Sequence, residues 1–116
     1  MGNPVIEKGR AFHVADIIEY QPQSILIKSI LRKTTGHISA VSFDEGEVLI
    51  GIISPFDTFL QIIDGNAEII IDEKSNLLET GESIIIPAHT GNTIKANVRF
   101  KMISTIIKSG YEEVIL

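Results

Sequence analysis

The sequence predicts an all-β fold, a single small antiparallel barrel with at most one short helical turn near its N-terminus. Three observations carry that reading. Isoleucine takes 23 of the 116 positions, and Ile, like Val, is stiff at χ1 and suits a pleated, half-buried surface better than a helix. Apolar runs of about five to eight residues recur at intervals of roughly ten, the pattern of a sandwich or barrel. Gly, Pro, Asn, Asp or Ser separates the runs, and these residues mark turns.

In chain order, residues 1–23 form an N-terminal arm in which only 14–20 suits a helical turn. His13 lies in this arm without a partner and is assigned to the surface. Strands are expected at 24–31, 37–43, 48–53, 58–63, 67–72, briefly around Leu77 and Leu78, then at 83–87, 93–96 and 99–108. The breakers between them are 33–36, 44–46, 54–57, 64–66, 73–76, 80–82 and 88–92. Asp64-Gly65 between two apolar runs reads as a tight hairpin, because glycine supplies a positive φ. Residues 24–108 make the barrel domain and 109–116 a C-terminal tail. That tail mixes Glu112 and Glu113 with Val114, Ile115 and Leu116, and it suits either docking across a partner or fraying.

Composition removes several function classes. The chain has no cysteine, which excludes disulfides, thiolate metal sites and a cysteine nucleophile. A net charge of -5 and an aromatic content of 6% argue against a nucleic-acid partner. No apolar run approaches the ~20 residues of a membrane-spanning helix, and no secretory leader is legible; no membrane partner and a cytoplasmic location are expected. Lys28, Arg32 and Lys33 around one turn, and Arg99 and Lys101 along the last strand, read as solvated outward faces. Several strands are apolar on both sides: Leu60 and Ile62 share one face, and Phe59 and Ile63 the other. A strand apolar on both faces must be covered on both. A second subunit is the expected lid, making the protein a homodimer; burial within one sandwich is the alternative.

Four turn residues fall in a regular frame. Gly46 and Gly65 bracket the stretch 46–65, and Gly81 and Pro87 begin a second one, Gly81-Glu82-Ser83-Ile84-Ile85-Ile86-Pro87. This frame resembles the small single-domain cupins, whose motifs are G-x5-H-x-H-x3/4-E-x6-G and G-x5-P-x-G-x2-H-x3-N. The resemblance implies a jelly-roll barrel and, in the family, a divalent metal held by three histidines and a glutamate. Carried over by position, those ligands fall on Ile52, Ser54, Thr58 and Asn92; His89 stands at the second motif's internal glycine and Ala96 at its asparagine. Isoleucine cannot bind a metal, and neutral Ser, Thr and Asn are poor ligands for iron, manganese or zinc. No cofactor is expected at these positions.

If the family's ligand positions face inward, strand alternation places Ile50, Ile52, Ser54, Thr58, Leu60 and Ile62 inside. Asn92, Ile94, Val98, Phe100, Met102 and Ile106 join them. The candidate ligand pocket is therefore Ile50, Ile52, Ser54, Thr58, Leu60, His89, Asn92, Ile94, Phe100 and Met102. It would be an apolar cup with small polar groups at its mouth, suited to a small neutral or apolar ligand or else filled by its own isoleucines. His89 and Asp57 are the candidate acid–base residues. A histidine in the mouth loop suits a general base or a ligand contact, while Asp57 in Pro55-Phe56-Asp57 also suits plain turn stabilisation. A relocated metal site using His89 and His37, and with it a metal-dependent dioxygenase or isomerase, is the second reading. A dimeric scaffold is the third.

Overall fold

The computed structural model describes residues 6–51 and 53–108. A single 3-10 turn, Val14–Asp16, precedes eight strands: β1 (Ile25–Lys33), β2 (Gly36–Phe43), β3 (Val48–Ile50), β4 (Thr58–Ile71), β5 (Lys74–Glu79), β6 (Ser83–Ile86), β7 (Asn92–Lys95) and β8 (Phe100–Ile107). All pairings are antiparallel. The β-rich expectation holds, and among the described residues no helix is long and apolar enough to cross a membrane.

The strands curl into a half-barrel in the order β1-β2-β8-β4-β7-β3, with β5 and β6 also paired to β4. β4 is the organising element. Its first half pairs with β6 and β8, and its second half with β5 and β7. The expected hairpin at Asp64-Gly65 is therefore absent, because β4 runs straight through this position. Gly65 does adopt a positive φ of 80°, but the conformation serves a corner where the strand leaves one sheet for the other. The register against β8 slips between Ile62 and Asp64, the signature of a bulge that bends a strand. A Cβ on Gly65 would stand 2.4 Å from the Arg99 carbonyl oxygen, so only glycine fits this close approach. The actual hairpin lies one turn later. Ile71 pairs with Lys74, and the two residues between them, Asp72 and Glu73, have φ of 49° and 67°, the requirement of a type I′ turn.

The concave faces of the two sheets close over one core of Val41, Phe43, Leu60, Ile62, Ile69, Ile94, Phe100 and Met102 among others. Phe43 and Phe100 stack there with ring centroids 4.6 Å apart. A second cluster lies on the opposite, convex face, where Ile17 and Ile18 pack with Ala40 and Ile103. Two-sided burial was expected; over this part of the sheet the cover is the chain's own arm. Three polar contacts pin it. Ser42 Oγ donates to the Glu19 carbonyl over 2.7 Å, Lys101 Nζ to the Ala15 carbonyl over 2.6 Å, and the Tyr20 hydroxyl to Asp64 Oδ2 over 2.5 Å. Arg99 and Lys101 are thus more than a solvated face: their cationic groups lie 4.5 and 4.9 Å from the Tyr20 ring centroid, within cation–π range. Burial and the neighbouring Asp64 carboxylate push the Tyr20 phenol well above its usual range.

Candidate functional site

The mouth of the half-barrel is built by two connections, 51–57 between β3 and β4 and 87–91 between β6 and β7. Backbone polarity stitches them together. The His89 N–H donates to the Ser54 carbonyl over 2.6 Å, and the Ala88 N–H donates to Asp57 Oδ1 over 2.8 Å. Ser54 Oγ accepts the Phe56 N–H at 3.0 Å, and Thr90 Oγ1 donates to the Ala88 carbonyl at 3.1 Å. Asp57 therefore acts as a brace between the two loops. His89 holds a left-handed backbone, φ 63°, and an exposed side chain; strained backbone of this kind persists where surrounding contacts enforce it. Asn92 begins β7 opposite Ile71, and its carbonyl accepts the Gly51 N–H at 3.0 Å. Its side chain lies so close to Gly51 that a Cβ there would meet Asn92 Oδ1 at 2.1 Å.

The pocket residues expected from alternation divide into three groups. Leu60, Ile94, Phe100 and Met102 do face inward, where they are fully enclosed in the packed core. Ser54, Thr58 and Asn92 are half-buried at the mouth, with Thr58 opening β4 between Ile86 and Ile106. Ile50 departs from the expectation: it is 77% exposed. β3 contributes only three residues, and it is Leu49, paired with Ile94, that packs against the core. The strand ends before Gly51, so alternation counted back from the loop does not carry through. Val98 likewise lies exposed in the bend before β8. Ile52 lies outside the described residues.

The donor set does not fit the family's metal. Side-chain oxygens of Ser54 and Thr58 and the amide of Asn92 offer neither negative charge nor imidazole nitrogen to a dication. Among the described residues no group of three His, Asp or Glu is placed to hold an ion. His37 and His89 are not drawn into such a group. His37 lies on β2 in a 2.6 Å hydrogen bond with Ser39 Oγ, and burial, Arg32 and Lys108 hold its pKa below the usual histidine value.

A groove of about 480 Å³ escaped the sequence reading. It lies on the convex side, beyond the end of the arm, with Phe56, Phe59, Ile85 and Ile107 in its wall. Ile85 and Ile107 are 58% and 64% exposed there. The signal was present in the two-sided apolar pattern of Phe59 against Leu60, but nothing local distinguishes the half of that face that the arm covers.

The half-barrel with its corner-turning β4 and the paired glycine-bearing loops is matched closely among solved structures. A cupin superfamily protein from Desulfitobacterium hafniense superposes with a TM-score of 0.84 at 25% identity, covering 94% of this chain and 100% of that one. The fold is that of the cupins. A conserved protein of unknown function from Streptococcus pyogenes matches this cupin barrel with a TM-score of 0.83 at 24% identity, over 94% and 96% of the two chains. A cupin 2 conserved barrel domain protein from Leptotrichia buccalis matches at 28% identity and a TM-score of 0.80. That match covers 84% of this chain and 47% of the larger one. No protein-family model matches the sequence, and no curated protein matches it.

Proposed function

We propose that this cupin barrel is a non-catalytic binding module without the family's metal centre, taking a small neutral or apolar ligand at its mouth. One observation carries the reading: the positions that correspond to the metal ligands hold Ile52, Ser54, Thr58 and Asn92. An apolar floor with three small hydrogen-bonding groups at its rim orients a neutral molecule better than a dication. The protein acts in the cytoplasm as a homodimer, and the apolar groove of Phe59, Ile85 and Ile107 supports the second copy as its cover. The same groove favours a second reading, a dimeric scaffold with a filled barrel.

Metal analysis of protein purified without chelator tests the leading reading, with iron, manganese, zinc and nickel all expected well below one per chain. Stoichiometric metal that disappears in His89→Ala would overturn it in favour of a relocated enzyme centre. Native mass spectrometry of untreated protein separates binding from scaffolding: a small organic mass released on denaturation, and lost in Thr58→Val, is the binding outcome.

A further inference from the structure

At the open end of β1, β2 and β8, cationic groups gather, with no carboxylate in ion-pair contact with them among the described residues. Arg32 pairs directly with His37, and His37 with Ile106; directly paired residues present their side chains on one face. That face is the concave one, because His37 bonds to buried Ser39, two residues before core residue Val41. The Lys108 N–H donates to the Thr35 carbonyl over 2.6 Å, extending the ladder by one step and placing Lys108 on the Ile106 side by alternation. Among the described residues, neither Arg32, Lys33 nor Lys108 has a carboxylate within ion-pair distance. The chain carries 15 acidic residues against 10 basic ones, so this corner runs against the overall charge.

We propose that Arg32, His37 and Lys108 form a binding site for the oxyanion head, phosphoryl or carboxylate, of a small organic anion whose apolar part rests on Ile106. The guanidinium offers a planar fork to two oxygens, the ammonium a point charge, and the imidazole a third donor once protonated. Arg32 from β1 and Lys108 beyond β8 are the charges that act on His37. An arriving anion cancels their field, so His37 takes up a proton as the anion binds, and affinity rises as pH falls. This site adjoins the mouth, since Ile106 pairs directly with Thr58; its readout is the His37 ring, whereas that of the neutral ligand is a released mass lost in Thr58→Val, so the two readings fail separately.

The test is an NMR pH titration of the His37 ring, assigned against His37→Gln, in chloride, inorganic phosphate and acetate at equal ionic strength. Phosphate, acetate or both should raise the His37 pKa above its value in chloride, saturably. A response to one alone identifies the head as phosphoryl or carboxylate. Arg32→Gln and Lys108→Gln, both at exposed positions, should each weaken the responding anion by about tenfold. Equal behaviour in all three salts would mean screening alone and would overturn the proposal. So would unchanged affinity in both variants. A response appearing only when Glu112→Gln and Glu113→Gln are introduced would also overturn it, assigning the corner to the chain's own carboxylates.

Discussion

Replacing Ile17 by alanine tests whether the arm is a structural part of the barrel. Ile17 is 1% exposed and Ile18 2%, and both pack into the convex cluster with Ala40 and Ile103, flanked by Val14, Leu26, Ile30, Ile38 and Ile63. Ala40 is small, which leaves depth for the arm's side chains to enter. Ile17→Ala deletes three carbons, worth about 2.4 kcal/mol at ~0.8 kcal/mol per buried methylene. The cavity left between the arm and the sheet raises the total to about 3–4 kcal/mol. Urea unfolding followed by far-UV circular dichroism and by tyrosine fluorescence measures it. With Tyr111→Phe as background, Tyr20 is the only tyrosine, and its ring sits under Arg99 and Lys101 where arm and barrel meet. Both signals should move together to lower urea. A loss below about 1 kcal/mol, with the two signals still coincident, would refute the reasoning, since it matches an ordinary surface substitution. Fluorescence moving alone would refute it differently, by showing that the arm opens while the barrel stays folded.

Other outcomes follow from the same contacts. Gly65→Ala should cost more than about 2 kcal/mol, because it adds a backbone collision to a left-handed conformation, whereas Gly46→Ala, at φ 89° with open space around it, should cost only about 1 kcal/mol; equal losses in thermal melts would contradict the corner assignment. Glu73→Gly should stabilise the β4–β5 hairpin by about 1 kcal/mol by relieving a positive φ in the type I′ turn, and a lowered melting temperature would argue against that turn. The Tyr20 pKa is raised in the folded state, so its contribution is complete below the usual phenol value of 10.0 and declines as pH rises above it; Tyr20→Phe should be less stable at neutral pH and should flatten that alkaline loss in denaturation curves. Asn92→His should not create submicromolar zinc binding by calorimetry, because Ser54 and Thr58 supply no second strong donor. Light scattering should give twice the 12.8 kDa chain mass, and a value near 13 kDa would exclude the dimer.

What could be read from residues alone followed the range of the interactions involved. Alternation along β2 and β8 was legible because both strands have eight residues and pair through their full length; His37, Ser39, Val41 and Phe43 stay in phase throughout. β3 defeated the same rule because three residues cannot carry a phase across Gly51. Gly65 announced a positive φ, which a hairpin and a sheet-to-sheet corner both require; only the partners β8 and β5, remote from Gly65 itself, distinguish them. Ile17 and Ile18 lay in the stretch 14–20 that suits a helical turn, but nothing local showed which surface they cover, since an arm that lies across a sheet obeys the shape of that sheet. Ser54, Thr58 and Asn92 are half-buried, while the contact of Asp57 with Ala88 spans 31 positions and leaves no local mark.

The continuity of β4 through its corner has a kinetic consequence. The β4–β5 hairpin closes through two residues, a local event that takes microseconds. Pairing Thr58 with Ile106 must instead close a loop made of most of the barrel, and that entropy is lost before any long-range contact repays it. Since one uninterrupted backbone carries both pairings, a misplaced register on the slow side twists the fast side out of line as well. The rate of folding should therefore be set by β8 finding β4, and substitutions at Leu60, Ile62 and Met102 should slow refolding, while those in the Asp72–Glu73 turn mainly alter unfolding.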